Sequence, residues 1–384
     1  MTEIEEPDVV IIGAGPAGST TAAEINNRSD KRIILIDRRK EIGIPARCAG
    51  GISINQLAMS DTQLTDDLIL NKIYGMKIVS PDRTILTVGD TLDKNEPHGY
   101  IIDRPKFDKM LFGRINTDKT EVILGQSAFT NGQEVKCGDR IFRPKRIVLA
   151  CAYDKGMISR AGLDIHISPN DIHKCIQVTI PTNKYDSKFI WSFAGNSFAP
   201  GGYAWIFPET DKIARVGLGV PSSNPISPWK LLDRFLVKEN LIHLPQTHRT
   251  GKLLPTLWYR KDIHKGKVAL VGDAGFQVNP LTGGGIGYAL VCARVLGRTI
   301  ALGSDYNYYE KEWRKQFKKR LKTDYMIKSL LYGLSDEELD RAAAGAVAVN
   351  MQSVTDLPSA GRELLKRNKR LLWKLIGMKL RRKF

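Results

Sequence analysis

The sequence has little of what marks secreted, zinc-binding or membrane-spanning proteins. Its 384 residues include five cysteines, which lie far apart and never form a CxxC pair, so neither a disulfide framework nor a structural zinc site is indicated. The six histidines form no cluster with zinc-ligand spacing. No apolar run approaches the roughly 18 residues that a membrane-spanning helix needs, and the first residues carry acids where a secretory signal carries bases. These absences predict a protein of the reducing cytoplasm without a metal site.

Acidic residues are scarce relative to basic ones, above all near the C-terminus. The net charge is +17, and residues 310–384 carry 19 Lys and Arg against 9 Asp and Glu. Residues 363–384 place leucines and an isoleucine on one helical stripe with basic residues opposite. Such a helix is typical either of an anionic membrane surface or of a helix packed on the protein body. The expected location is therefore cytoplasmic, with the inner face of the cell membrane as the alternative. No nucleic-acid-reading motif accompanies the basic residues, so we expect no nucleic acid partner.

The first 37 residues carry the most legible pattern in the chain, that of a dinucleotide-binding unit. Its elements are an apolar strand at 8–12, the glycine turn Gly13-Ala14-Gly15-Pro16-Ala17-Gly18, a helix of small residues at 19–25, an apolar strand at 32–36 and an acid, Asp37. Gly13 permits the tight turn, Gly15 lets the backbone approach a pyrophosphate, and Gly18 allows close packing of the helix on the sheet. The helix N-terminus offers N–H donors to phosphates, and Asp37 is placed to accept hydrogen bonds from a ribose.

The rest of the chain divides by its hydrophobic pattern. Apolar strands at 121–124, 146–150 and 267–272 are typical of a parallel sheet. Short β segments fill 71–99 and 163–264, the second of which is rich in aromatic residues, and the pattern from 306 onward is helical. We therefore predict an α/β fold made of a discontinuous Rossmann-like nucleotide-binding domain (1–70, 100–162 and 265–305), an inserted antiparallel β-sheet substrate domain (71–99 and 163–264) and a basic C-terminal helical region (306–384).

Several further motifs together carry a resemblance. They are Arg47-Cys48-Ala49-Gly50-Gly51-Ile52, Asp103-Arg104-Pro105, Tyr203-Ala204-Trp205-Ile206-Phe207-Pro208 with Gly217-Leu218-Gly219, and Gly272-Asp273 with Pro280-Leu281-Thr282-Gly283-Gly284-Gly285-Ile286. With the glycine turn, this set resembles the geranylgeranyl reductase family, FAD-dependent flavoproteins on an aromatic-hydroxylase-like fold. The YxWxFP and GxG pair is the discriminating part, because the glycine motifs are shared by many flavoproteins.

The resemblance implies a role for each matching residue. An FAD site would include Gly13, Ala14, Gly15, Pro16, Ala17, Gly18, Asp37, Arg38, Arg47, Cys48, Ala49, Gly51, Arg104, Asp273, Pro280, Gly283, Gly284, Gly285 and Ile286. A prenyl lipid would lie against Tyr203, Trp205, Phe207, Pro208, Gly217 and Gly219, and the catalytic residues would be Cys48, Tyr203 and Trp205. Periodicity alone leaves open whether the aromatic residues line a cavity or pack in a core. The role of Cys48 is also left open between a proton donor, a modulator of the flavin and a small buried apolar residue.

The implied activity is the saturation of geranylgeranyl double bonds in archaeal-type lipids by hydride from reduced flavin and a proton. One departure stands out, because an Asp-Gly pair is typical of related flavoproteins after the strand at 146–150, and here the chain reads Ala150-Cys151-Ala152-Tyr153-Asp154-Lys155-Gly156. A flavin monooxygenase and a non-catalytic FAD- or lipid-binding paralogue therefore stay as alternatives. The electron donor is also open between NADPH and a carrier protein such as ferredoxin, since the chain has no second GxGxxG for a separate NADPH domain.

Overall fold

The computed structural model describes residues 4–90, 95–163, 166–258 and 262–347. The strands are β1 Ile4–Glu5, β2 Val9–Ile12, β3 Ile33–Asp37, β4 Gly51–Ser53, β5 Ile69–Ile73, β6 Gly75–Val79, β7 Ile85–Val88, β8 Gly99–Ile102, β9 Thr120–Leu124, β10 Ala128–Thr130, β11 Val135–Cys137, β12 Arg140–Phe142, β13 Arg146–Leu149, β14 Ile172–Pro181, β15 Phe189–Ala194, β16 Tyr203–Pro208, β17 Ile213–Pro221, β18 Thr247–Pro255, β19 His264–Lys265 and β20 Val268–Leu270. The helices are α1 Pro16–Asn26, α2 Ile54–Met59, α3 Arg104–Phe112, α4 Lys155–Arg160, α5 Pro228–Lys238, α6 Ile286–Ala301, α7 Tyr306–Leu331 and α8 Asp336–Val347.

A six-stranded sheet in the order β19-β20-β13-β2-β3-β9 forms the nucleotide-binding layer. All its neighbouring strands run parallel except β19, which is antiparallel to β20. Its central strands are buried on both faces, as their continuous apolar runs predict. Helices α1, α6 and α7 pack against one face, while α4 and the sheet β1-β12-β11-β10 cover the other. The predicted α/β fold with a Rossmann-like unit is confirmed.

A second sheet of seven strands, in the order β18-β14-β17-β16-β15-β6-β7, lies beside the first layer. The sequence predicts an antiparallel sheet here, but β6 and β15 pair in parallel, so the sheet is mixed. Strand β8, which begins at the last residue of the predicted segment 71–99, joins β4 and β5 in a separate three-stranded sheet. One face of the seven-stranded sheet packs on α5, whose Leu231, Leu232, Phe235 and Leu236 are buried. The opposite face is left for the site.

The helices after residue 306 follow the predicted pattern as far as the structure describes them. Ser335 and Glu338 form a reciprocal capping box at the start of α8, because the Ser335 N–H donates to Glu338 Oε2 at 3.1 Å and the Glu338 N–H donates to Ser335 Oγ at 3.3 Å. The amphipathic segment 363–384 lies outside the described residues. In the part of the chain that is described, no helix combines the length and apolar character needed to cross a bilayer.

Candidate active site

A cavity of about 970 Å³ joins the two large sheets. On one side its wall consists of the turns that follow β2, β3, β13 and β20, at the carboxyl ends of the parallel strands. On the other side it consists of the face of the seven-stranded sheet that α5 leaves uncovered. Ligands of open α/β sheets bind at the carboxyl ends of the strands. The cavity therefore places a nucleotide-binding edge and a β-sheet wall in one space.

The three glycines of the first turn have different structural roles, as their spacing predicts. Gly13 has φ +108°, and a Cβ there would lie 2.4 Å from the Ala150 carbonyl oxygen. A Cβ on Gly18 would lie 1.8 Å from the Gly13 oxygen, so this glycine is required by packing. At Gly15, however, the nearest atom to an added Cβ is Arg39 Nη2 at 3.8 Å, so the missing side chain leaves open space at the N-terminus of α1. This is the arrangement that a pyrophosphate needs.

Asp37 ends β3 and lies only 5% exposed at the cavity wall. Its Oδ2 accepts the Ala14 N–H at 2.8 Å, and its Oδ1 accepts the Arg39 N–H at 2.8 Å. The Arg39 guanidinium adds bonds of 3.0 Å to each oxygen. Burial acts to raise the pKa of Asp37, but the Arg39 hydrogen bonds and charge and the Ala14 N–H outweigh it and hold that pKa below its ordinary value. A ribose that uses this carboxylate must therefore share it with Arg39 or displace the guanidinium, since four donors already occupy its lone pairs.

The turn after β20 is the second loop at the cavity. Asn279 organises it, because its Oδ1 accepts the Leu281 and Thr282 N–H groups at 3.0 Å each. Its Nδ2 in turn donates to the buried Asp324 Oδ2 at 2.7 Å, and the Tyr332 hydroxyl donates to the Leu281 carbonyl at 3.1 Å. Helix α7 and the residue that follows it thus fix the loop that carries Gly283, Gly284 and Gly285.

Tyr203, Trp205 and Phe207 alternate along β16, and all three line the cavity. Successive ring centroids lie 5.7 and 6.4 Å apart. Gly217 of β17 makes room for the Trp205 indole, since a Cβ there would lie 2.6 Å from Trp205 Cζ2. The Tyr203 hydroxyl donates to the Thr282 carbonyl at 2.6 Å and joins the aromatic wall to the second loop.

Cys48 lies where both walls and α3 meet. Its Sγ accepts the Gly50 N–H at 3.4 Å, and its carbonyl accepts Arg215 Nη1 at 3.1 Å. Arg104 is held by Asp108 at 2.9 Å and acts on the thiol through its charge. Burial acts to raise the pKa of the Cys48 thiol, but the charges of Arg104, Lys252 and Arg215 and the Gly50 N–H outweigh it and lower that pKa below its ordinary value. The site therefore makes this thiol more acidic than an ordinary cysteine.

Most predicted site residues share the cavity wall, and a few lie behind it. Within the described chain, those of the predicted set that do not reach the cavity surface are Ala14, Gly18, Pro208, Gly217, Gly219 and Pro280. Gly18 and Gly217 still act on the site through packing, while the buried Pro280 underlies the second loop. In the altered segment after β13, Cys151 and Asp154 line the cavity, and Asp154 caps α4 by accepting the Met157 N–H at 2.9 Å.

Sequence reasoning missed, among others, the polar wall residues Cys175 and Lys252. It also missed Arg215, which is not part of the cavity lining but donates to the Cys48 carbonyl. Cys175 has no partner pattern in the sequence and is expected to be structural, yet it faces the cavity, where burial raises its pKa to about 12. Arg215 stands two residues before Gly217, and strand alternation from the GxG motif was a signal that could have placed it on this face. Lys252 gives no such signal, because its position depends on how β18 pairs with β14.

Fold and cavity together define a dinucleotide-binding protein, and comparison with known proteins specifies the family. Residues 171–249 match the model of the geranylgeranyl reductase catalytic domain, and residues 11–49 match that of an NAD(P)-binding Rossmann-like domain. The chain is 30% identical over 407 residues to digeranylgeranylglycerophospholipid reductase 1 of Methanococcoides burtonii, covering 99% of this chain and 98% of that protein. It is also 30% identical to the digeranylgeranylglycerophospholipid reductase of Methanosarcina acetivorans, covering 96% and 95%.

Among solved structures, the geranylgeranyl bacteriochlorophyll reductase-like protein from Thermoplasma acidophilum superimposes with a TM-score of 0.86. It is 25% identical and covers 98% of this chain and 100% of its own. The flavin-dependent brominase Bmp2 has a TM-score of 0.67 at 14% identity, which shows a common fold alone. The chain belongs to the geranylgeranyl reductase family, as the sequence motifs predict.

Proposed function

We propose that this protein saturates the double bonds of geranylgeranyl chains in digeranylgeranylglycerophospholipid or its precursor. The observation that carries the proposal is the continuity of the cavity from Gly15, at the phosphate-binding turn, to the aromatic wall at Trp205. A flavin and a long apolar chain could occupy one continuous space there. The names of the relatives supply the substrate class.

The residues on the nucleotide side suit FAD. Its pyrophosphate would lie at the N-terminus of α1 beside Gly15, and its adenosine ribose beside Asp37. Arg104 would hold the pyrophosphate or the ribityl region, and Asp273 the ribityl chain or a phosphate. The backbone of 283–285 would lie at the pyrimidine edge of the ring. When bound and reduced, FAD supplies the hydride for one carbon of the alkene.

The protein itself must exclude water, hold the prenyl chain and deliver a proton to the alkene. Tyr203, Trp205 and Phe207 offer an apolar surface for an alkene. The Tyr203 hydroxyl already donates to the Thr282 carbonyl, and burial raises the pKa of this phenol. Tyr203 therefore keeps its proton. Cys48 is the better candidate for a side chain that exchanges a proton or carries a charge during the reaction.

Anaerobic incubation of the dithionite-reduced holoprotein with digeranylgeranylglyceryl phosphate tests the proposal. We expect product masses to rise in steps of two hydrogens per reduced double bond. Trp205→Ala is the matched variant that should retain flavin and lose turnover. Unchanged lipid mass with bound, reduced flavin would contradict the proposal. In a separate aerobic assay, substrate-dependent oxygen consumption would identify a monooxygenase instead. Mixing the oxidised holoprotein with NADPH or with reduced ferredoxin would identify the electron donor by which of them bleaches the flavin absorbance.

A further inference from the structure

Gln177 is a polar residue of the cavity wall that neither the family motifs nor the FAD-binding residues include. It lies on β14, is only 8% exposed and lines the cavity. In the part of the chain that the structure describes, no residue hydrogen-bonds its side-chain amide. A side-chain amide has two N–H donors and a carbonyl acceptor, and nearly all such groups find a partner when they are buried. The amide of Gln177 is therefore available to a molecule in the cavity.

The residues level with Gln177 on the neighbouring strands share its face of the sheet. Gln177 pairs with Thr250 of β18 on one side and with Gly217 of β17 on the other, and Gly217 pairs with Trp205 of β16. The Trp205 indole lies over Gly217, since a Cβ there would be 2.7 Å from Cε2, the ring carbon bonded to Nε1. Thr250 Oγ1 and Trp205 Nε1 are enclosed and have no hydrogen-bond partner among the described residues. Neither polar neighbour therefore satisfies the amide between them.

Gln177 belongs to the substrate side of the cavity. One step along the neighbouring strands, Tyr203 and Lys252 hydrogen-bond the loop that follows β20, on the flavin side. Two residues of a strand span about 6–7 Å, so Gln177 lies that much further from this loop along the sheet. In the opposite direction the wall continues with the apolar side chains of Phe207 and Ile190. The amide is therefore a polar group between the flavin-side loop and an apolar stretch of the wall.

The charges nearby indicate what kind of ligand atom the amide would meet. Two cations lie two residues along the strands that flank Gln177, Lys252 on β18 and Arg215 on β17, and each is paired with a carboxylate, Asp273 and Glu209. A buried phosphate calls for charged donors, and both of these cations are already neutralised. An amide N–H suits an uncharged oxygen, such as that of an ether.

We propose that Gln177 is a specificity-determining residue whose amide donates a hydrogen bond to the ether oxygen that joins a geranylgeranyl chain to glycerol. The identity of the lipid rests on the proposed function. An ether oxygen accepts hydrogen bonds but cannot donate one, so the N–H of the amide is the group that recognises it. The first double bond of the chain begins two bonds from this oxygen, which brings it beside the Trp205 indole.

The test compares two uncharged probes, geranylgeranyl methyl ether and the hydrocarbon in which a CH2 group replaces its oxygen. Each radiolabelled probe is titrated in detergent micelles against the oxidised full-length holoprotein, and bound probe is counted after capture of the protein. The preference is the ratio of the two Kd values, and comparing it between proteins cancels the difference in how the probes partition into micelles. We expect the preference for the ether to fall by about two- to tenfold in Gln177→Leu, the range expected for one hydrogen bond.

Gln133→Leu is the matched control, because it makes the same substitution on the exposed turn between β10 and β11, outside the cavity wall, and should keep the wild-type preference. Gln177→Leu removes no hydrogen bond to a described residue, so the apoprotein should melt at the wild-type temperature or above it. A wild-type preference in Gln177→Leu, or a preference lost together with the fold, would overturn the proposal. A wild type that prefers the ether but leaves the lipid unreduced would overturn the proposed function and leave the ether site in place.

Discussion

Gly15→Ala separates the binding of a nucleotide from the stability of the fold. Gly15 has φ −75° and ψ −175°, which alanine adopts without strain, and the nearest atom to the added Cβ is 3.8 Å away. The unfolded chain loses freedom with alanine, so the free energy of unfolding of the apoprotein should stay the same or rise by about 0.4–1 kcal/mol. The new methyl group nevertheless occupies the space in which the backbone of α1 would meet a pyrophosphate. FAD affinity should fall by about tenfold or more, or about 1.4 kcal/mol.

Gly18→Ala is the matched comparison. Its Cβ would lie 1.8 Å from the Gly13 carbonyl oxygen, a contact that backbone atoms must move to relieve. Overpacking of this kind costs about 1–3 kcal/mol or more, so this variant should lose stability as well as FAD. Thermal unfolding of the apoproteins by circular dichroism and FAD titration by fluorescence quenching measure the two quantities. A Gly15→Ala protein with wild-type FAD affinity would refute the assignment of the phosphate site to this turn.

Three other outcomes follow from the same contacts. Cys48→Ala and Trp205→Ala should each lower lipid turnover while the flavin absorbance stays, and loss of the flavin in either would make that residue structural. Gly217→Ala should lower the free energy of unfolding by about 1–3 kcal/mol, because its Cβ would meet both a β14 carbonyl at 2.4 Å and the Trp205 indole. Gly345→Ala is the control, since nothing lies within 4 Å of its Cβ, and it should not lower the free energy of unfolding. Equal melting curves for the two variants would contradict this account. Deletion of residues 360–384 should reduce co-sedimentation with anionic liposomes at low salt, and unchanged binding would remove the membrane-helix hypothesis.

The nucleotide-binding edge could be predicted from the sequence because its determinants are local. A strand, a glycine turn and a second strand that ends in Asp37 lie within 30 residues, and each glycine meets its constraint within that unit or on the adjacent strand. The capping box at Ser335 is local in the same way. Strand pairing between distant segments is not local. The sequence therefore predicts neither the parallel pairing of β6 with β15 nor the place of β8 in another sheet.

On the substrate-side wall, the neighbours of each side chain depend on strand pairing that the sequence does not reveal. Alternation along β16 puts Tyr203, Trp205 and Phe207 on one face, but it does not say which face or which residues lie beside them. The register does, because it pairs Trp205 with Gly217 and pairs Cys175 with Lys252. A one-residue slip of β18 would turn the Lys252 side chain to the opposite face of the sheet. The position of the Lys252 charge therefore depends on the register between two strands about 75 residues apart, which the sequence alone does not give.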